Sequence, residues 1–442
     1  MPSLKRTFSQ SGDTLPIAPK LRYDYRWGRS MAANEREFDI ILFGATGFTG
    51  KLVAEYLLRQ YGINEGLRWA IAGRNPGKLK EIATSLGTGG CEVPRLEADS
   101  NSAKDMNRLA AQAKVVCTTV GPYAKYGSLL LSACVERGTH YCDLTAEIPW
   151  MVRMMNEHQA QALTTGARIV HACGFDSIPS DLGAFFMHSE MSRQHGVPCS
   201  RIQLRVEDFS GGFSGGTVAS LLHMMEEAET DDRLRELLQA PYALDPEGSP
   251  KGADEPESLV PRYDESFSQW LAPFPMAAVN TKVVRRSNAL LEQAYGPDFR
   301  YDEAMLAGGG PTGLLRAAGT SVGSGLSMGL LSIPPLRKLL AKRLPAPGEG
   351  PGIEERESGY WKVRLLGVHP IDPAKNLEVR LTGDRDPGYG STSKMLGETA
   401  VCLAIDSLPD RAGFLTTAVA MGDPLIDRLQ KNAGIKFEIL HR

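Results

Sequence analysis

The chain has 442 residues, of which 42% are hydrophobic and 23% charged, and its formal net charge is −3. This length exceeds one ordinary domain, and the composition is that of a soluble globular protein with a sizeable core. The near-neutral balance, without a Lys/Arg block interleaved with aromatic residues, gives no reason to expect a nucleic-acid partner. Seven cysteines without a repeating spacing favour a reducing compartment, and we expect a cytoplasmic protein.

Residues 1–36 are expected to form a disordered basic extension. The first 30 residues contain six Lys/Arg and two Asp, and no apolar run is long enough for a signal peptide. A mitochondrial presequence is the alternative, although Asp13, Asp24 and the prolines disfavour its amphipathic helix.

From Phe38 to about residue 190, apolar runs of strand length alternate with amphipathic helical segments. The first pair is FDIILF and GKLVAEYLLRQYG, and the sixth strand candidate is ARIVHACG. Strands without regular polar positions are typical of a sheet covered by helices on both faces. The pattern predicts a doubly wound parallel sheet, a Rossmann domain, over residues 37–190.

The glycine-rich turn GATGFTG joins the first predicted strand to the first helix. Such a turn leaves the first N–H groups of the helix unpaired, and with the helix dipole they suit a diphosphate. We expect Gly44 to permit the turn, Gly47 to let phosphates approach and Gly50 to let helix and strand pack closely. A bare structural corner is the alternative. The predicted cofactor contacts in the turn are Gly44, Thr46, Gly47, Phe48, Thr49 and Gly50.

The second strand ends in AIAGRNPGKL, with Gly73 and Arg74 where NAD sites usually have an acidic residue. Arg74 can form paired hydrogen bonds with a 2′-phosphate, and Lys78 lies one helical turn further on. The alternative for Arg74 is a surface side chain at the turn. We therefore predict NADPH as cofactor, with NAD as the alternative.

Two later strand ends complete the predicted cofactor site. Asp99 is expected beside the adenine amino group or, alternatively, as the N-cap of the next helix. Val120, Gly121 and Pro122 end the fourth strand, where the nicotinamide ribose normally rests.

The pattern changes near residue 200. SRIQLRVEDF alternates like a half-exposed strand, and YWKVRLLGV and NLEVRLTG look like antiparallel strands. We expect a second domain over residues 191–400 and C-terminal helices over 401–442 that pack on the first domain. Residues 317–336 carry no charge; a buried helix and loop is expected, with an interfacial lipid-contacting segment or a spanning helix as alternatives.

The motifs GATGFTG, AGRNPGKL, VGPYAKYG, ACVERGTHYCDLTAE and HACGFDSIPSDLG together resemble the saccharopine dehydrogenase-like oxidoreductases, and most of all their trans-acting enoyl reductase branch. Further matches extend the resemblance over nearly all of residues 38–442. It implies a Rossmann domain followed by an α/β domain built on an antiparallel sheet. One departure is Ala146, which stands where the family commonly has glycine in Thr-Gly-Glu.

The resemblance implies an NADPH-dependent reductase that saturates an activated C=C bond of a lipid or polyketide-type substrate, free or carrier-bound. One alternative is a saccharopine-type C–N (imine) oxidoreductase, and another is a non-catalytic NADP-binding protein associated with lipid. Membrane or lipid-droplet contact through residues 317–336 and a homodimer are further expectations.

Enoyl reduction requires hydride at Cβ, polarisation of the conjugated carbonyl and a proton at Cα. Tyr123 and Lys125, directly after the fourth strand, are catalytic candidates; packing against the nicotinamide is the alternative for Tyr123. Asp176 follows the sixth strand and, with Ser177, contacts substrate or cofactor or else caps the next helix.

Other titratable residues have less specific interpretations. Asp143 and Glu147 follow the fifth strand and are interpreted as acids at the substrate mouth, with helix caps or ribose ligands as the alternatives. No metal is predicted, because no CxxC pair occurs among the candidate ligands. These candidates are Cys134, His140, Cys142, His171 and Cys173.

Overall fold

Two sheets organise the computed structural model, and each contains seven strands. The described residues are 36–63, 65–211, 231–254, 256–331, 333, 335 and 350–440. The predicted extension 1–36, apart from Arg36, lies outside them, as does most of the glycine-rich segment that follows the first strand of the second sheet.

The first sheet is entirely parallel and confirms the predicted Rossmann architecture. Its strand order is β13-β6-β5-β4-β1-β2-β3, so the order reverses between β1 and β4. A dinucleotide binds at the carboxyl ends of the strands beside such a reversal. The strands are β1 (Phe38–Phe43), β2 (Trp69–Gly73), β3 (Arg95–Glu97), β4 (Ala113–Thr118), β5 (His140–Cys142), β6 (Arg168–Val170) and β13 (Gly413–Leu415).

Helices connect these strands and bury their apolar faces on the sheet. In the first of them, Leu52, Val53 and Leu57 are buried, as the helical spacing predicts. The helices are α1 (Phe48–Tyr61), α2 (Pro76–Ser85), α3 (Ala103–Gln112), α4 (Tyr123–Tyr126), α5 (Ser128–Arg137), α6 (Ile148–Thr165) and α7 (Ile178–His195).

The second sheet is mixed, whereas the sequence predicts an antiparallel one. Its order is β14-β12-β11-β7-β10-β9-β8, and only the β7–β10 pair is parallel among the described strands. A parallel pair needs a long crossover, and here the crossover includes two other strands and a buried helix. The strands are β7 (Arg201–Ser210), β8 (Arg262–Asp264), β9 (Gln269–Ala272), β10 (Arg300–Gly308), β11 (Tyr360–Val368), β12 (Leu377–Gly383) and β14 (Ile435–Leu440).

The C-terminal segment contributes to both sheets, since β13 joins the first and β14 the second. Glu398 lies between the layers: the hydroxyls of Tyr56 and Tyr61 each donate to its Oε1 at 2.5 Å, and Arg428 Nη1 donates to its Oε2 at 3.3 Å. The remaining helices are α8 (Asp232–Gln239), α9 (Ala277–Leu290), α10 (Gly310–Leu331), α11 (Ile353–Ser358), α12 (Thr392–Ile405), α13 (Thr417–Ala420) and α14 (Asp423–Asn432).

Strand β7 is more buried than its alternating sequence predicts. Arg205 occupies a polar position of the alternation, yet only 1% of its surface is exposed. Its Nε donates to Asp264 Oδ2 at 2.8 Å, and its Nη1 lies 2.8 Å from Asp302 Oδ2. The half-exposed interpretation is therefore wrong, because two carboxylates satisfy the arginine inside the protein.

The uncharged segment 317–336 belongs largely to α10, and its described side chains are mostly exposed rather than buried. Val322 and Leu326 are 68% and 61% exposed. In the part of the chain that the structure describes, no helix has the length and hydropathy needed to span a membrane.

Candidate active site

The GATGFTG turn has the backbone conformation and the close contacts for which glycine is needed. Gly44 has φ +95°, in the left-handed region. A Cβ on Gly50 would lie 2.2 Å from the carbonyl oxygen of Gly44, so only glycine lets α1 start this close to β1. A Cβ on Gly47 would lie 3.3 Å from the same oxygen.

The first turn of α1 offers free amide groups at the reversal point of the sheet. Gly47 occupies the N-cap position, and no described side chain caps the helix. The hydroxyl of Thr119, just after β4, donates to the carbonyl of Gly44 at 3.2 Å and holds the ends of β1 and β4 together. Uncapped amides and the positive end of the helix dipole fit the diphosphate of a dinucleotide.

Arg74 directly follows β2, and its side chain is exposed, as is that of Lys78 in the first turn of α2. Neither side chain has a hydrogen bond or ion pair within the described residues. Asn75 caps α2 by accepting from the Lys78 amide at 2.9 Å. Both cations are thus free to meet a phosphate at this strand end.

Asp99 lies just beyond β3 and is half-buried. Its Oδ1 accepts from the amide of Asn101 at 3.0 Å, and Ser102 is the N-cap of α3. The alternative interpretation of Asp99 as that N-cap is therefore wrong. Val120, Gly121 and Pro122 follow β4 at the same edge of the sheet.

Tyr123 lies in the core, with 5% of its surface exposed. Its hydroxyl donates to the carbonyl of Thr118 at 3.3 Å and accepts from the amide of Leu144 at 3.2 Å. Burial, together with nearby Asp143, raises the pKa of Tyr123 well above its usual value. This geometry favours the packing role over proton donation, whereas Lys125 on α4 is exposed.

Glu147 is a helix cap. Its two carboxylate oxygens accept from the amides of Tyr123 and Ala124 at 2.9 and 2.8 Å, at the start of α4. The carboxylate is 4% exposed and fixes the segment that follows β4. Ala146, directly before Glu147, is half-buried and does not have a positive φ, so its backbone conformation does not require the glycine that is common in the family.

Asp143 and His171 form a buried pair that the sequence analysis did not predict. His171 Nδ1 lies 2.8 Å from Asp143 Oδ2, which also accepts from the Tyr141 hydroxyl at 2.9 Å. His171 Nε2 is buried without a described hydrogen-bond partner. One signal was present in the sequence: both residues directly follow adjacent parallel strands, β5 and β6, and therefore meet at one edge.

Asp176 lies at this carboxyl edge, six residues after β6. It is half-buried, and burial raises the pKa of its carboxyl to about 6. Within the described residues its carboxylate has no hydrogen-bond or ion-pair partner. The capping interpretation is wrong for Asp176, whereas Ser177 does occupy the N-cap position of α7, although its side chain makes no capping hydrogen bond.

Ser177 connects this edge to the second sheet. Its hydroxyl lies 3.2 Å from Asn280 Oδ1, and Asn280 Nδ2 donates to Glu303 Oε2 at 3.0 Å. Burial raises the pKa of Glu303 to about 7. Asn280 and Glu303 were missed because each stands among other polar residues, in AAVNTKVVRRSNAL and RYDEAMLAG, and nothing in either sequence singles it out as part of a site.

The candidate thiol and imidazole ligands do not converge. Among the described residues, no group of three His, Cys, Asp or Glu side chains is arranged to hold a metal ion. The thiols of Cys134 and Cys173 are buried, and burial raises their pKa values.

The first part of the chain matches a known protein family. Residues 40–170 match the family model of the saccharopine dehydrogenase NADP binding domain, which confirms the predicted NADP(H) cofactor. A yeast structure, apo histidine-tagged saccharopine dehydrogenase (L-Glu forming) from Saccharomyces cerevisiae, aligns over 91% of this chain and 99% of its own, with a TM-score of 0.49 and 11% identity.

Similar curated proteins are mycobacterial. A protein of Mycobacterium tuberculosis (strain ATCC 25618 / H37Rv), provisionally named a trans-acting enoyl reductase, is 42% identical over 92% of this chain and 99% of its own length. The trans-acting enoyl reductase of Mycobacterium bovis (strain BCG / Pasteur 1173P2) is 37% identical over 90% of this chain and 97% of its own. The chain therefore belongs to the saccharopine dehydrogenase-like proteins, in the branch of the trans-acting enoyl reductases.

Proposed function

We propose that the protein is an NADPH-dependent enoyl reductase that saturates an activated C=C bond of a lipid or polyketide-type acyl substrate. The names of its relatives and the NADP-binding family match support the reaction and the cofactor. The observation that carries the proposal is structural. The amide-lined turn at the start of α1 and the carboxyl of Asp176, which has a raised pKa and no partner among the described residues, lie at the same edge of one parallel sheet.

The strand ends supply the proposed cofactor contacts. The amides at the start of α1 bind the diphosphate, and the side chains of Thr46, Phe48 and Thr49 line this turn. Arg74 and Lys78 bind the 2′-phosphate. Further along the edge, Asp99 receives the adenine and the Val120–Pro122 segment receives the nicotinamide ribose.

NADPH, when bound, would supply a hydride to Cβ of the substrate, and this hydride carries the electron pair that reduces the double bond. In its acid form Asp176 donates the proton to Cα and becomes a carboxylate. Ser177, held by Asn280, fixes the loop that carries Asp176. Lys125 is the proposed cation for the conjugated carbonyl, and Tyr123 packs beneath the cofactor-binding loop.

Turnover with a labelled cofactor tests this function. The purified protein is incubated with NADPH carrying deuterium at C4 and with a short enoyl thioester, free or attached to a carrier protein. The expected result is NADPH oxidation and a saturated product with deuterium at Cβ. Oxidation or reduction of saccharopine or an imine, with none of the thioesters, would establish C–N chemistry instead.

Arg74→Asp tests the choice of nucleotide. The substitution replaces the arginine proposed to bind the 2′-phosphate by a carboxylate, which repels that phosphate. We therefore expect the dissociation constant for NADPH to rise about hundredfold. NADH binding should change by less than about threefold. Titration calorimetry with both nucleotides measures this, with Arg95→Asp, an exposed arginine of β3, as control. Equal losses for NADPH and NADH would remove Arg74 from the 2′-phosphate site.

We also propose that the exposed side of α10 contacts a lipid surface. Leu315, Val322 and Leu326 are 72%, 68% and 61% exposed on this helix. Flotation with phosphatidylcholine vesicles should carry the protein upward, and Leu315→Glu with Val322→Glu should abolish this. A homodimer through the same face is the competing outcome; sedimentation would then show a dimer that the double variant splits.

A further inference from the structure

We propose that Arg356 binds the diphosphate of the cofactor. This arginine lies in α11, the short helix that precedes β11 of the second sheet. The inference rests on the cofactor-binding part of the proposed function and is independent of the reaction catalysed. Two parts of the chain would then bind the phosphates: the amides at the start of α1 and the guanidinium from α11.

The contacts of Phe48 place Arg356 at the diphosphate turn. Phe48 is the first residue of α1, directly after the N-cap Gly47. The Cζ atom of Arg356 lies 5.3 Å from the centroid of the Phe48 ring. Arg356 therefore stands over the side chain of a residue whose own amide faces the phosphate site.

Two further residues from the second half of the chain, Gly350 and Tyr389, also pack on the Phe48 ring. Tyr389 meets Phe48 edge-on, with ring centroids 4.8 Å apart and planes at 79°. A Cβ added to Gly350 would lie 2.5 Å from Phe48 Cε1, so the backbone there packs directly on the ring. The position of Phe48, and of the guanidinium stacked on it, is thus fixed by contacts from two segments.

The guanidinium of Arg356 keeps most of its hydrogen-bonding capacity. Its Nε makes a long bond of 3.4 Å to the carbonyl of Gly352, and neither Nη group has a partner within the described residues. The nearby carboxylate of Asp386 is engaged, since its oxygens accept from the amides of Tyr389 and Gly390 at 2.9 and 2.8 Å. A guanidinium held over an aromatic ring can still donate from both Nη groups, and its planar fork of donors suits two phosphate oxygens.

The inference differs from a purely structural stack in what it predicts for nucleotides. NADPH and NADH share the diphosphate and differ in the 2′-phosphate. A ligand of the diphosphate must therefore affect both nucleotides equally, in contrast to Arg74. A purely structural contact would act by positioning Phe48, so the charge-keeping Arg356→Lys would then lose as much affinity as Arg356→Gln.

Calorimetric titration of Arg356→Gln with NADPH and with NADH tests the proposal. We expect both dissociation constants to rise by about tenfold or more, because a charged donor to phosphate is lost. Arg356→Lys should give a smaller loss, since it keeps the charge without the planar stack. The matched control is Arg385→Gln: the Nη1 of this neighbouring arginine donates to the carbonyls of Asp384 and Glu357 at 2.9 and 3.3 Å, and its removal should leave both constants unchanged.

Wild-type affinity of folded Arg356→Gln for both nucleotides would overturn the inference and leave the cofactor site standing. A loss confined to NADPH would also overturn it, because the arginine would then face the 2′-phosphate. If the wild-type protein binds neither nucleotide, the cofactor proposal fails and the inference fails with it. Should Arg356→Gln not fold, Arg356→Lys decides alone: unchanged affinity overturns the proposal.

Discussion

Gly50→Ala is expected to weaken NADPH binding by about hundredfold or more and to lower the free energy of unfolding by about 1–3 kcal/mol. The added methyl group would lie 2.2 Å from the carbonyl oxygen and 2.8 Å from the carbonyl carbon of Gly44. Both atoms are backbone at the end of β1, so relief requires α1 to move away from the strand. The amides at its start move with it and lose the diphosphate. Titration calorimetry and urea unfolding measure the two effects.

Gly319→Ala is the matched control, since Gly319 also lies within a helix, α10. A Cβ there would meet no atom within 4 Å. The substitution should leave NADPH affinity unchanged and stabilise the protein by about 0.5–1 kcal/mol, because alanine favours the helix. A folded Gly50→Ala protein with the affinity of the wild type would contradict the assignment of this turn to the diphosphate.

The first sheet could be predicted because its signals are local. FDIILF is an uninterrupted apolar run, all six residues of which are buried in β1. In the turn that follows, the backbone conformation favours glycine at position 44, and the contact distance excludes a side chain at position 50. Local sequence therefore determines both the strand–helix unit and its phosphate-binding corner.

Some strands of both sheets, by contrast, form only through contacts between residues that are distant in sequence. Strand β13 has only three residues, and it is a strand because it pairs with β6, more than 240 positions earlier, as in Leu415 with Val170. The parallel pairing of β7 with β10 is likewise decided by the crossover between them. The burial of Arg205 in β7 could not be predicted, because its carboxylate partners, Asp264 and Asp302, are far away in sequence.

The site divides in the same way. Strand ends can be read from the sequence, so Arg74, Val120 and Asp176 were located at the correct edge of the sheet. What each side chain does there depends on its neighbours. The amide of Tyr123 donates to the carboxylate of Glu147, and a sequence pattern does not encode this contact.

Asp176→Asn is expected to lower kcat for the enoyl thioester by about 10²–10⁴-fold while leaving the NADPH dissociation constant within about twofold of wild type. Burial raises the pKa of this carboxyl from 3.8 to about 6, so the acid form that donates the proton is populated below about pH 6 and lost above it. In the wild type, kcat/KM should therefore fall about tenfold per pH unit above that value. In Asp176→Asn this decline should disappear.

Asp245→Asn is the matched control, because burial also raises the pKa of Asp245 to about 6, yet this residue lies near Arg286 in the segment between α8 and β8 and does not follow a strand of the first sheet. If an elevated pKa alone governed the pH profile, both substitutions would change it. Of these two residues, Asp176 is the one that follows a strand of the first sheet, so Asp245→Asn should keep the wild-type rate and profile. A wild-type profile in Asp176→Asn would show that water or another group protonates Cα, and Asp176 would lose its catalytic role.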